Sequence, residues 1–161
     1  MGTPYLSDRD DILDCLDRKL NNDTDHSIVI GDLNGKTQTA LDYVLDLDDK
    51  HSPINENEGY DRDTPPNVRN NMDTKPVDKQ GRKILEICQT HRLRILNGRT
   101  VGDRWGHPTR YPVASRETPS LLDYTLCSQE YMKKIKAFQI QPITELSDHC
   151  CITFKLETRS R

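Results

Sequence analysis

Asp32, Asn34, Asp123, Asp148 and His149 are the residues whose types and settings suit them to act together on one substrate. Asp32 and Asn34 follow the run Ile28-Val29-Ile30-Gly31, two positions apart. On extended backbone such side chains point the same way, so a carboxylate and an amide stand side by side at a strand end. Hydrolysis of a phosphodiester needs a base for the water, positive charge near the oxyanion, and help for the leaving group. Asp32 is suited to take the proton from water, with Asn34 donating to Asp32 or to the phosphate. Asp123 is suited to hold His149 by one ring nitrogen, which fixes a tautomer or stabilises an imidazolium. Asp148 is suited to a hard cation such as magnesium, which takes one or two carboxylates and keeps water. Thr109, after the Gly102-Asp103 loop, is a further candidate partner.

Taken singly these pieces are common. An Asp before a His at a strand start usually caps a turn, and Asp-x-Asn after a strand is usually a turn itself. Asp123 says more, because it lies among Leu121, Leu122 and Tyr124, and a carboxylate inside a strand is costly unless paired. Two other chemistries fall away. Gly31 to Thr37 resembles a phosphate-binding loop after a strand, but three residues separate its glycines where that loop needs four, and Asp32 inside the cradle would repel a phosphate. Cys88 and His91 have a spacing that any helix produces, and no second ligand pair follows them.

The elements that must position these residues are legible from periodicity. Ser7 with Asp10 resembles a capping box opening a helix whose apolar face is Ile12, Leu13, Leu16 and Leu20, closed by Asn21-Asn22-Asp23. Ile28 to Ile30 reads as a short strand covered on both faces. Residues 36–46 are ambiguous, with Leu41, Val44 and Leu45 spaced like a weak helix face. Residues 47–77 hold almost no large apolar side chains, which predicts an irregular, exposed insertion with few contacts to the sheet. A helix is expected over 79–90 on Ile84, Leu85, Ile87 and Cys88, then a strand over 93–96 with Arg94 facing out. Short strands are expected over 109–111, 121–127, 135–140 and 150–156, with a small helix over 129–133. Early strand–helix alternation and later hairpin spacing predict an α/β fold with a mixed sheet.

The 161 residues suit one domain, yet only 33% are hydrophobic and 30% are charged, which is lean for that size. The net charge of -3 gives no global basic field, so affinity for nucleic acid has to come from local Lys/Arg placement or a metal ion. Five cysteines, odd in number and mostly within apolar runs, read as free thiols of a reducing compartment. No run is apolar enough to span a membrane and the N-terminus begins no signal peptide. The expected location is intracellular: the nucleus for action on DNA, otherwise the cytoplasm.

Gly31-Asp32-Leu33-Asn34, Ser120 to Tyr124 and Ser147-Asp148-His149, in that order, resemble the last three motifs of the endonuclease/exonuclease/phosphatase superfamily. Arg69 to Asp73, Gly81-Arg82, Leu85 to Cys88, Leu93 to Arg99 and Gly102-Asp103…Gly106…Thr109 are similar to the endonuclease domains of non-LTR retrotransposons. The resemblance covers residues 4–157, with 158–161 a tail. It implies a four-layer α/β sandwich of two sheets flanked by helices, acting on DNA with magnesium, or manganese in its place. It makes Asp32 the proton-handling aspartate, Asn34 and Thr109 the contacts to the substrate phosphate, Asp123 the orienter of His149, and Asp148 the metal carboxylate. It assigns the linker over 47–77 no role.

The same resemblance implies two earlier strands, one carrying an Asn and one a Glu that is the principal magnesium ligand; neither motif occurs here. The N-terminal half of the usual domain is then missing from this sequence, with three alternatives open: another exon, another chain or nothing supplies it; a longer product would add that half or a reverse transcriptase domain. Weak cation binding and little nicking by 1–161 alone are expected. The alternatives are a non-catalytic binding or scaffold protein derived from the fold, or a phosphatase of the same superfamily.

Overall fold

The computed structural model describes residues 9–21, 27–44, 68–113 and 117–157. They form an α/β arrangement of two small antiparallel sheets and three helices. In chain order the elements are α1 (Arg9–Leu20), β1 (Ile28–Asp32), α2 (Lys79–Thr90), β2 (Leu93–Ile95), β3 (Asp123–Ser128), α3 (Gln129–Lys134), β4 (Ile135–Ile140) and β5 (Ile152–Leu156). One sheet has the order β1-β3-β2 and the other is the hairpin β4-β5. Among the described residues the strand pairings are all antiparallel, in place of the expected mixed sheet.

The three-stranded sheet lies between two apolar layers. On one face Val29, Leu93, Ile95, Tyr124 and Leu126 meet Leu13 and Leu20 of α1 and Ile84, Leu85, Ile87 and Cys88 of α2. On the other, Ile28 and Cys127 meet Phe138, Ile135, Ile140, Ile152 and Phe154 of the hairpin, with Met132 of α3. Burying each large aliphatic or aromatic side chain contributes about 1.5–3 kcal/mol, so these two contacts hold the layers together. Ile12 does not share the α1 face as expected; it is exposed. His91 and Asp17 (2.7 Å), with Lys83 and Asp14, tie α2 to α1.

β1 is an edge strand and Ile30 is 51% exposed, so it is not covered on both faces. The apolar run marks a strand, but an edge position leaves one side without a neighbour. Arg94 shows the opposite error. It is fully buried, donating to the carbonyls of Leu93 (2.6 Å) and Asp42 (3.2 Å), with its guanidinium 5.9 Å from the Tyr43 ring. Buried Asp42 accepts from the Ile95 amide (2.7 Å) on the free edge of β2 and pairs with Arg99 (2.7 Å). Residues 36–44 form no helix; Val44 is buried and Leu41 is half-exposed. Residues 109–111 make isolated bridges, Arg110 with Ser120 and with His149, where a strand was expected.

Residues 68–77 are irregular, as their composition predicts, but they are not detached. Arg69 is buried and donates to Thr37 Oγ1 (3.0 Å) and the Ala40 carbonyl (2.6 Å). Asp73 is buried and accepts from the Leu121 amide (3.2 Å). The Asn70 amide donates to the Gly98 carbonyl (2.8 Å). Gly98 has φ +79 and lies so near the Asn70 carbonyl that an added Cβ would fall 1.9 Å from it, so only glycine permits this crossing. The rest of the expected insertion, 47–67, lies outside the described residues, as do Ser7 and Asn22-Asp23.

Candidate functional site

The site forms where β1 ends and β3 begins. Antiparallel register makes Asp32 and Asp123 direct partners at the last position of that ladder. Asp32 Oδ1 accepts from the Asn34 amide (2.9 Å) and Oδ2 from Asn34 Nδ2 (2.8 Å). The turn needs Asn34 at φ 52, which asparagine tolerates better than most residues. Both ends of the Asn34 grip thus set the orientation of one carboxylate.

The loop after Asn34 is anchored twice. Asp78, the N-cap of α2, accepts from the Lys36 amide (3.0 Å) and the Gly81 amide (2.7 Å). An added Cβ on Gly81 would fall 1.9 Å from the Lys36 carbonyl, so glycine lets helix and loop approach. The Tyr124 hydroxyl lies 2.7 Å from the Gly35 carbonyl and 3.0 Å from that of Leu121. Its burial pushes the phenol up to about 12, keeping a proton available to donate there.

His149 Nδ1 and Asp123 Oδ2 are 2.8 Å apart. A carboxylate only accepts, so this contact places the proton on Nδ1 and leaves Nε2 for a substrate. The Asp123 backbone is itself held on both sides. Its carbonyl accepts from Asn97 Nδ2 (3.2 Å) and its amide donates to Thr109 Oγ1 (2.9 Å). Thr109 also accepts from the Leu122 amide (3.0 Å), and its carbonyl accepts from the Cys150 amide (2.7 Å). One threonine therefore fixes the backbone beside both members of the His149–Asp123 pair.

That role differs from the expected one. Thr109 is fully buried, so its side chain does not line an open phosphate pocket; it positions Asp123. Asp148 has a partner of its own. Its Oδ2 accepts from Arg110 Nε at 3.0 Å, and this bond, with the guanidinium charge, holds the carboxyl below its usual range. The atoms that gather are one each from Asp32, Asp123 and His149, all within 4.8 Å of one another. The two carboxylates suit a hard divalent cation such as Mg2+ or Mn2+, while the imidazole is engaged with Asp123. A cleft of about 1030 Å³ is lined by Arg110, Ser147 and Asp148, and not by Asp32, Asp123 or His149 themselves.

Of the expected residues, Asp32, Asn34, Asp123 and His149 come together. Reading the residues in order missed Arg110, Asp73, Asp78 and Asn97, which hold the others in place. Asp78 alone left a signal, standing one residue before the α2 pattern. Among the described residues no helix is long and apolar enough to cross a membrane. No family model, curated protein or solved structure matches this chain.

Proposed function

We propose that this chain carries the hydrolytic residues of a metal-dependent phosphodiesterase acting on DNA, of the retrotransposon endonuclease type in the endonuclease/exonuclease/phosphatase superfamily. The observation that carries the reading is the convergence of Asp32, Asn34, Asp123 and His149, from three distant stretches, at one sheet end. The helical layer, the three-stranded sheet and the hairpin stacked in that order support assignment to part of a four-layer α/β sandwich.

In this reading Asp32, aimed by Asn34, takes the proton from the attacking water. His149 meets the scissile phosphate through Nε2, and its Nδ1–H bond to Asp123 stabilises the imidazolium as negative charge develops on the phosphoryl oxygens. Asp32 and Asp123 would hold the divalent cation, which when bound supplies charge stabilisation at the phosphate. Asp148, paired with Arg110 at the cleft wall, adds a further carboxylate to this reading.

The test is nicking of supercoiled plasmid with Mg2+ or Mn2+, by 1–161 alone and by a fusion adding an N-terminal segment with the Asn and Glu strands. Weak nicking alone and strong nicking by the fusion are expected. His149→Ala and Asp32→Ala should each abolish it. Nicking that survives both substitutions removes these residues from the mechanism.

A further inference from the structure

Arg110 sits at the centre of a short backbone ladder between Ser120 and His149. Its amide donates to the Ser120 carbonyl (2.9 Å) and its carbonyl accepts from the Ser120 amide (3.0 Å), so these two exchange both bonds. On the other side His149 is its direct partner. There the bonds run from the Tyr111 amide to the Asp148 carbonyl and from the Cys150 amide to the Thr109 carbonyl, both 2.7 Å. Arg110 and His149 are therefore a non-hydrogen-bonded antiparallel pair. In such a pair the Cα atoms are closest, about 4.5 Å apart, and the two side chains leave from the same face.

The guanidinium is held at one corner. Nε donates to Asp148 Oδ2 (3.0 Å), and Nη1 lies 3.6 Å from Glu117 Oε2, an ion pair beyond hydrogen-bond reach. A guanidinium has five N–H donors, and among the described residues those on Nη1 and Nη2 meet no hydrogen-bond acceptor. The side chain is 34% exposed. An imidazolium at His149 is one of the causes that hold the Asp148 carboxyl down, so the ring and the Asp148–Arg110 pair share one electrostatic neighbourhood.

A phosphodiester brings two non-bridging oxygens, and negative charge grows on them as water attacks. Asn34 Nδ2 is engaged with Asp32 (2.8 Å), and His149 offers Nε2 alone. We propose that Arg110 is a further substrate-binding residue, donating from its Nη edge to a non-bridging oxygen of the phosphate that His149 Nε2 meets. The place of that phosphate rests on the hydrolytic reading. Anchoring Nε on Asp148 leaves a planar pair of donors with little freedom to lose, the form in which arginine binds phosphate well.

Binding is read apart from hydrolysis. The dinucleotide thymidylyl-thymidine, which carries one phosphodiester, is titrated into nitrogen-15-labelled full chain with EDTA present. The Arg110 Nε–H cross-peak, identified by its loss in Arg110→Lys, and the His149 ring signals should shift along one saturation curve. Arg110→Gln should weaken binding about ten- to a hundredfold, through loss of charge-assisted hydrogen bonds. Arg110→Lys keeps the charge and should recover part of that loss. Glu117→Gln removes the carboxylate facing Nη1 and should tighten binding about two- to fivefold. A guanidinium that only braced Asp148 to Glu117 would give no such gain. Circular dichroism of all three variants should match the parent. An Arg110 cross-peak that stays still, separate saturation curves for Arg110 and His149, or parental affinity in Arg110→Gln would overturn the assignment. Joint binding without any metal-dependent nicking would remove the hydrolytic reading and leave Arg110 as a phosphate ligand.

Discussion

Asp32 and Asp123 face each other directly across the end of the β1–β3 ladder, two carboxylates in one cross-strand pair. Like charges in that position oppose folding unless something of opposite sign lies between or beside them. His149 stands beside Asp123, and a divalent cation would answer both carboxylates at once.

Asp32→Asn should leave the protein within about 1 kcal/mol of the parent in EDTA, relieved repulsion of about 0.2–1 kcal/mol being offset by the bond from Asn34 Nδ2, which the new amide nitrogen cannot accept. The asparagine oxygen still accepts from the Asn34 amide. Mn2+ should raise the melting temperature of the parent and not of the variant. Thermal melts with EDTA and with Mn2+ check both statements; a variant clearly less stable in EDTA would show that His149 already neutralises the pair.

Thr109→Val should cost about 1–3 kcal/mol, because the amides of Leu122 and Asp123 lose their acceptor inside the protein. Thr109→Ser keeps the oxygen and should cost less. Urea unfolding gives the difference, and hydrogen exchange at Leu122 and Asp123 should quicken in the valine variant alone. Equal costs for the two variants would mean that the methyl group, rather than the hydroxyl, matters.

The Asp148 carboxyl is depressed chiefly by its bond from Arg110. A depressed acid contributes stability above the usual carboxylate range, near pH 3.9, and loses it as pH falls through the lower folded value. No change from this group is thus expected between pH 7 and about 5. In Arg110→Ala the carboxyl should return toward its ordinary range. A carbon-13 titration of Asp148 in parent and variant reads this directly, and coincident midpoints would remove Arg110 as the cause.

Local pattern carried α2 almost residue for residue, since its apolar face repeats at helical spacing. It also carried β4 and the small α3. It misplaced Arg94, because alternation along a strand assumes that one face is wet, and here both are covered. It undervalued residues 68–77, because burial of Arg69 and Asp73 rests on partners more than thirty residues away.

For the candidate site, local spacing dictates that Asp32 and Asn34 share a side, because that depends only on the two-residue repeat of extended backbone. Asp123 within an apolar strand demanded a partner on desolvation grounds alone. His149 as that partner follows from the resemblance of the motifs, whereas which carboxylates gather around the pair depends on the tertiary structure. The antiparallel register sets Asp32 opposite Asp123, the Cys150 amide bonds the Thr109 carbonyl next to the His149–Asp123 pair, and Arg110 binds Asp148. Each of those outcomes depends on through-space distance between segments far apart in the chain, and no local spacing encodes it.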